Sequence, residues 1–285
     1  MQIIDTFDDF YQLFKDHLDE DVEDLIIRWE QYISNYPELE IKCKSDYLEF
    51  GYDWVEIATT KVFNRTKLDF NLMNLIHNRV KKLINPILLA SAQTFHVEHF
   101  GNIVLYCGLG NGAGWVDTYQ GKRAILFGLE KIAELNISQD EDLKSLIAHE
   151  LCHVIHFELR GTDCLEGELT LYHQGIWQLY IEGFAQYYQS KLLEQSDDYR
   201  GSEWVGQCAF LQDELKKLFL EGLTHEEIGI QKFFGDWFEV MGVQDAGYFL
   251  GAKMIEELSE QYTIEEIACL DLIEIESNIL RFLKS

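Results

Sequence analysis

The sequence is poor in the residues that interrupt regular structure. Only two prolines occur among 285 residues, Pro37 and Pro86, and there is no Gly/Ser-rich tract and no internal repeat. These absences exclude domains on flexible tethers, repeat arrays and disordered polymers. Because 47% of the residues are hydrophobic, the chain can build a packed core, and we expect one large domain or two tightly joined lobes.

Positive charge is also scarce, since 23 Lys and Arg residues stand against 50 Asp and Glu residues and the formal net charge is −27. Such a chain repels phosphate backbones and anionic lipid surfaces, so neither nucleic acid nor a membrane is an expected partner. No apolar run is long enough to cross a bilayer. The first residues, "MQIIDTFDDFYQLF", lack the positive start and continuous apolar stretch of a secretory signal.

The six cysteines lie far apart and form no CxxC pair. A chain of this size does not need a disulfide framework to fold. Reduced thiols and a cytoplasmic location are therefore expected.

Hydrophobic spacing divides the chain into three regions. Residues 1–90 repeat apolar residues at three- and four-residue intervals, which predicts a helical lobe. Residues 91–138 contain short β-branched and aromatic runs separated by turn signals such as "GNGAG" and "QGK", which predicts a small antiparallel sheet. The remainder predicts helices at about 139–160, 169–194, 202–221, 245–261 and 270–284. The predicted fold class is α+β, mainly helical, with domains at 1–90 and 91–285.

The segment "LIAHELCHVIHF", residues 146–157, places two histidines and a glutamate in an otherwise apolar helical run. On a helical wheel Glu150 falls in the middle of the apolar stripe, and His149 and His153 lie one turn apart at its edge. An unpaired carboxylate there would cost several kcal/mol in lost hydration. The spacing HExxH resolves this conflict, because both imidazoles can bind one Zn²⁺ while Glu150 acts as general base on the water at the metal.

Catalytic zinc normally takes three protein ligands. His156 lies about 10 Å along the helix axis from His149, which is too far to share an ion. The preferred candidate is Glu182 on the next long helix, because Gly175 and Gly183 would let the two helices approach closely. The alternatives are His173, Glu166 and Glu168.

An HExxH motif followed on a later helix by a Glu ligand resembles the gluzincin metallopeptidases. The segments "GLGNGAGW", "LIAHELCHVIH", "YIEGFAQY" and "GYFLGAKMI" look most like bacterial families of predicted Zn-dependent proteases. The resemblance covers residues from about 100 to 260 and implies a zincin-like catalytic core. It implies His149, His153 and Glu182 as zinc ligands and Glu150 as base and proton shuttle.

The resemblance extends to the substrate cleft. "GYFLGA" is similar to the segment that supplies the transition-state tyrosine in aminopeptidase N-like enzymes, so Tyr248 is the expected oxyanion donor. "GLGNGAGWVDTY" is expected to form a hairpin or an edge strand along the cleft, where extended substrates bind by strand addition. Gln186 occupies the place of a partner that orients a zinc histidine. "GAGW" lacks the glutamate that grips a free amine, which argues against aminopeptidase activity.

The sequence thus predicts a cytoplasmic zinc-dependent metallopeptidase that acts on a peptide or protein substrate. Two rival hypotheses remain. One is a catalytically inactive regulatory or structural protein that keeps zinc as a brace, and the other is an enzyme that hydrolyses a non-peptide amide. His96 and His99 are expected at a strand end rather than in a second metal site, and Cys152 is expected to be a packed core residue.

Overall fold

The structure is a computed structural model that describes residues 1–49, 51–98, 100–162, 169–194, 200–225, 229–235 and 238–285. Contacts within the chain divide it into two compact units, residues 1–150 and 151–285. The domain boundary predicted at residue 90 stays a prediction. In the described ranges, no helix combines the length and the apolar character needed to traverse a bilayer.

The first unit contains a sheet and seven helices or parts of helices within the described ranges. Its strands are β1 (Gln2–Asp5), β2 (Asn102–Tyr106), β3 (Trp115–Tyr119) and β4 (Lys122–Gly128). Its helices are α1 (Phe7–Phe14), α2 (Val22–Ile33), α3 (Pro37–Glu49), α4 (Trp54–Ile57), α5 (Phe63–Phe95), α6 (Leu129–Glu134) and the first half of α7 (Asp140–Arg160). A π-helical turn, Ala58–Val62, joins α4 to α5. The unit boundary follows Glu150 and so falls inside α7.

The sheet is mixed, with strand order β1-β2-β4-β3, which corrects the prediction of a purely antiparallel sheet. β2 runs parallel to both β1 and β4, whereas β3 pairs antiparallel with β4. Only the β3–β4 hairpin was visible in local sequence. Its two-residue turn, Gln120-Gly121, has both φ angles positive, at 53° and 69°, as a type I′ hairpin turn requires. Parallel partners come together over long connections that a local pattern does not reveal.

The N-terminal residues form an edge strand that the helical prediction for residues 1–90 did not include. β1 pairs with β2 in the register Ile3↔Ile103, so the start of the chain belongs to the same sheet as the segment after residue 100. The predicted sheet region also begins later than expected, because α5 continues to Phe95. His96 ends that helix in the left-handed conformation, with φ 56°.

The core of the first unit lies over β2, all five of whose residues are buried. A strand with parallel partners on both sides is normally covered on both faces, which explains its unbroken apolar run. Buried polar groups are paired: the Trp29 indole donates to the Cys107 carbonyl at 3.0 Å, and the Tyr32 and Thr6 hydroxyls are 2.7 Å apart. The observed architecture confirms a mainly helical α+β fold.

The regular elements described in the second unit are helices, apart from an isolated antiparallel bridge between Val240 and Val243. Beyond the second half of α7 the unit contains α8 (Leu171–Leu193), α9 (Ser202–Phe210), α10 (Gln212–Thr224), α11 (Ala246–Ser259), α12 (Ile264–Cys269) and α13 (Leu272–Lys284). A 3-10 turn, Gln231–Phe233, precedes α11. The helix predicted at 202–221 is divided at Leu211 into α9 and α10, and α12 was not predicted. α12 and α13 each begin with a capping box, at Thr263 and Asp271.

Candidate metal centre

Helix α7 carries the HExxH motif in its central turns. Its first turn holds three acidic residues, Asp140, Glu141 and Asp142, which suits the positive end of the helix dipole. At the other end, the Arg160 guanidinium donates to the carbonyls of Ala268 and Leu270 at 3.1 and 2.6 Å. The helix is therefore anchored beyond the motif, and its prediction at about 139–160 agrees with the structure within a residue.

The structure brings together the three residues predicted as zinc ligands. One ligand atom each from His149, His153 and Glu182 lies within 4.8 Å of the other two. His153 Nε2 and Glu182 Oε2 are 3.4 Å apart. Donor atoms about 2.1 Å from a tetrahedral zinc stand about 3.4 Å from one another, so this pair fits a shared ion. An ion pair can have the same length, but the second imidazole beside it makes the group a candidate metal site.

The donor set also matches the chemistry of zinc. Two imidazole nitrogens and one carboxylate oxygen are the ligands of a common class of catalytic zinc site, which leaves a fourth position for water or substrate. The His153 and Glu182 side chains are only 10% and 17% exposed. Burying a carboxylate beside two imidazoles is most favourable when a cation lies between them. The residues present therefore fit a zinc ion, and their role as ligands stays a prediction.

Glu150 is buried, with 6% of its surface exposed, as its position in the apolar stripe predicted. It packs directly against the backbone of Gly114: a Cβ added there would lie 2.7 Å from Glu150 Cγ and 2.9 Å from Oε1. Any larger residue at position 114 would displace the carboxylate. The loop that leads into β3 thus touches the predicted general base. β3 is an edge strand of the sheet, as the sequence predicted.

A second buried carboxylate, Glu130, holds that loop in place. Its Oε1 accepts the Gly110 N–H at 3.0 Å, and burial raises the pKa of the carboxyl group, although backbone N–H groups oppose the shift. The Tyr47 hydroxyl donates to the Leu109 carbonyl at 2.7 Å. Sequence reasoning missed Glu130, and its only signal was an acidic residue two positions after the end of the apolar strand β4.

The glycines of α8 act differently from the prediction. Gly183 contacts α11 rather than α7: a Cβ there would lie 2.4 Å from the backbone of Gly251. Gly175 instead packs against a side chain of α10: a Cβ there would lie 2.6 Å from Leu223 Cδ2. Small residues therefore bring α8 against α10 and α11. Toward α7, α8 presents large aromatic residues instead, and Phe184 stacks on the ring of His156 at 4.3 Å between centroids.

Tyr248 lies on α11, one turn before Gly251. Gly251 packs against Gly183, the residue next to Glu182, so Tyr248 lies close to this contact between α8 and α11. Its ring packs against Phe234 at 5.5 Å between centroids, and the Arg200 guanidinium carbon lies 4.7 Å from the ring centroid. Arg200 in turn pairs with Asp245 at 3.1 Å. These contacts fix the ring, while the role of its hydroxyl stays a prediction.

The alternative ligands do not join the cluster within the described residues. His156, which the helix spacing had already excluded as a ligand, is fully buried among aromatic rings, and burial lowers its pKa well below the usual value. His173 lies at the start of α8, where Nδ1 is 2.9 Å from Thr170 Oγ1. Outside the described residues lie Glu166, Glu168 and His99.

Two further predicted residues lie within the helices of the centre. Cys152 is fully buried and burial raises the pKa of its thiol, which is consistent with a packed core residue. Gln186 is buried on α8, one turn after Glu182. Its predicted contact with a zinc histidine stays a prediction.

A second acidic group, Asp5, Asp8 and His77, also brings ligand atoms within 4.8 Å of one another. His77 Nε2 lies 2.9 Å from both carboxylate oxygens of Asp5, and Lys81 Nζ lies 2.5 Å from Oδ2. Although burial acts to raise it, hydrogen bonds from His77 and Lys81 hold the pKa of Asp5 below its usual value. A lysine already supplies the cation here, so we interpret this group as an ion-pair brace between β1 and α5.

No family model, no curated protein and no solved structure matches the chain. Its function is therefore inferred from its own residues and from their geometry.

Proposed function

We propose that the chain is a zinc-dependent metallopeptidase of the gluzincin type, with a zincin-like core. One observation carries the proposal: His149, His153 and Glu182 converge on one point, and the helix turn that supplies both histidines also holds the buried Glu150. A zinc site that serves only as a brace has no use for a carboxylate buried beside its ligands. The burial of Glu150 beside the two histidines therefore supports its assignment as the general base.

His149, His153 and Glu182 would hold the metal. When bound, zinc would supply a Lewis acid that polarises the scissile carbonyl and lowers the pKa of the attacking water. Glu150 accepts the proton of that water and transfers it to the leaving amine. The packing of Gly114 against Glu150 limits the space on one side of the carboxylate. The low exposure of Glu150 keeps bulk water from competing for the proton.

The substrate is a peptide or protein, and the proposed location is the cytoplasm. The five cysteines in the described ranges are all free thiols, and four of them are buried, which suits a reducing compartment. The edge strand β3 has a backbone edge to which an extended chain could pair.

The direct test is metal content and cleavage by the purified, never chelated protein. We expect about one zinc per chain and cleavage products from a mixed peptide library. Removing the metal with a chelator should abolish cleavage, and adding zinc back should restore it. Protein that is metal-free and takes up no zinc refutes the proposal. Zinc without cleavage of any peptide identifies the brace or the non-peptide hydrolase instead.

Replacing Tyr248 by Phe should lower kcat about 100- to 1,000-fold and leave KM nearly unchanged, because a lost oxyanion donor acts only in the transition state. The Phe ring keeps the contacts with Phe234 and Arg200. Tyr187→Phe is the matched control. It also removes one tyrosine hydroxyl, but this hydroxyl belongs to α8 and lies 2.7 Å from Ser259 Oγ. Equal kcat values for the Tyr248 variant and the wild type would remove Tyr248 from the mechanism.

A further inference from the structure

The loop that joins β2 to β3, residues 107–114, is tied to α3 by side-chain hydrogen bonds. The Tyr47 hydroxyl donates to the Leu109 carbonyl at 2.7 Å. The Asn111 side-chain amide donates to the Asp46 carboxylate at 2.9 Å. These bonds reach back 62 and 65 positions along the chain. The loop is therefore part of the packing of the first unit rather than a loosely held surface segment.

Glu130, on α6, meets the same loop at close range. Its Oε1 accepts the Gly110 N–H at 3.0 Å, and a Cβ added at Gly108 would lie 3.0 Å from the same oxygen. The Gly112 carbonyl oxygen packs against Gly128, the last residue of β4, where an added Cβ would lie only 2.5 Å from it. The carboxylate and the end of β4 thus fix where the backbone of residues 108–112 runs.

The end of this loop touches the proposed general base. Gly114 follows Gly110 by four residues, and a Cβ added to it would lie 2.7 Å from Glu150 Cγ and 2.9 Å from Oε1. Glu130, the loop and Glu150 all belong to the first unit. Because the segment between the two glycines is short and packed at its middle, a shift at Gly110 is passed on to Gly114 and so to the Glu150 carboxylate.

Glu130 uses only part of its hydrogen-bonding capacity. Among the described residues, its second carboxylate oxygen, Oε2, is buried and has no hydrogen-bond partner of ordinary geometry. The buried thiols of Cys43 and Cys107 are weak donors, and burial together with the nearby carboxylate raises the pKa of both. A buried carboxyl group with an unused oxygen lowers the stability of a fold. The position that Glu130 gives to the loop therefore explains this residue better than a gain in stability does.

We infer that Glu130 is a positioning residue for the proposed peptide hydrolysis: through residues 108–114 it sets where Gly114 meets Glu150, and so how the general base is aimed. This role requires an acceptor oxygen at the Gly110 N–H and does not require contact with the substrate or the metal. The inference rests on the proposed function, because it assigns Glu130 to the mechanism of the same centre.

The main test replaces Glu130 by Leu, which has a similar size but offers no acceptor to the Gly110 N–H. We expect kcat to fall about 10- to 100-fold, since a displacement of about 1 Å at a reacting group costs rates of this order. KM and zinc per chain should stay close to the wild type. Glu130→Gln keeps an acceptor oxygen and should retain kcat within about threefold. If the Leu variant does not fold, Glu130→Asp, which withdraws the acceptor by one methylene, should show the same pattern at about three- to tenfold.

Loop position also has a readout that needs neither activity nor metal. In the metal-free protein, hydrogen–deuterium exchange of residues 108–114 should be faster in Glu130→Leu and unchanged in Glu130→Gln. The matched control is Asn102→Leu, which removes another buried polar side chain of the first unit, one that donates to the Tyr119 carbonyl at 3.0 Å. This control should lower Tm but leave kcat and the exchange of residues 108–114 at wild-type values.

A double variant tests whether Glu130 and Gly114 act by the same route. Gly114→Ala pushes directly on Glu150 and should by itself lower kcat at least about tenfold. Once the base is displaced, adding Glu130→Leu should lower kcat by less than about a further threefold, because the two effects are coupled. A general loss of structure would instead multiply the two effects.

Each outcome decides the inference. A lower kcat at constant KM, faster exchange in the loop and a less than multiplicative double variant support the positioning role. Wild-type kcat or unchanged loop exchange in Glu130→Leu, fully multiplicative effects, or an equal fall in kcat for Asn102→Leu overturns that role and leaves the peptidase proposal standing. If the zinc-loaded wild type cleaves no peptide, the proposed function fails and the positioning role fails with it.

Discussion

Replacing Glu150 by Gln is expected to abolish peptide hydrolysis while zinc stays bound. Proton transfer by a positioned base contributes about 100- to 10,000-fold in rate, and here one carboxylate serves both the attacking water and the leaving amine. Glutamine has nearly the same shape, so it should fit against Gly114 as the wild-type side chain does. The measurements are kcat on a peptide that the wild type cleaves and zinc per chain.

The control for this result is Glu141→Gln, which makes the same substitution in the exposed first turn of the same helix. It should retain wild-type rate and zinc content. If the Glu150 variant turns over substrate at more than about a tenth of the wild-type rate, Glu150 is not the base. Loss of zinc from that variant would instead indicate that Glu150 helps to hold the metal.

Replacing Glu182 by Gln, or His149 by Ala, is expected to reduce zinc from about one per chain to a small fraction. A catalytic zinc site has only three protein ligands, so losing one removes a large part of the binding free energy. The same variants should lose the zinc-dependent rise in Tm, because a ligand stabilises a protein only in proportion to its binding. Zinc content after gel filtration and melting curves with and without zinc give both quantities.

His173→Ala provides the matched control and tests the rival third ligand. His173 lies near the start of α8, close to Thr170 and Glu276, so its loss should leave zinc content unchanged. Retention of zinc by Glu182→Gln together with loss by His173→Ala would reverse the assignment. Retention of zinc by all the variants would mean that the ion binds elsewhere.

The candidate metal cluster could be predicted from sequence because its main constraint is local. In a helix, a spacing of four residues brings two side chains onto one face, and a carboxylate in an apolar stripe signals a compensating partner. His149, His153 and Glu150 follow from this one turn of α7. Glu182 was a choice among several residues, and the structure brings it to His153 at 3.4 Å.

The supporting contacts of the centre were not predictable in the same way. Gly183 was expected to let α8 approach α7, yet it contacts Gly251 of α11. Glu130 supports the loop at Gly110 from 20 positions along the chain. Neither contact follows from the repeat of a helix or a strand, because each joins two elements that are distant in the sequence. A helical wheel shows which residues share a face, but it does not show which element covers that face.

By itself, the sequence predicted the candidate ligand cluster and most of the long helices, because helix geometry converts spacing directly into direction. Only the tertiary structure decided that the sheet is mixed, that β1 belongs to it, and that Gly114 meets Glu150. Those features depend on which distant segments pair, and many pairings bury similar amounts of apolar surface. The choice among them is made by the packing of the whole chain.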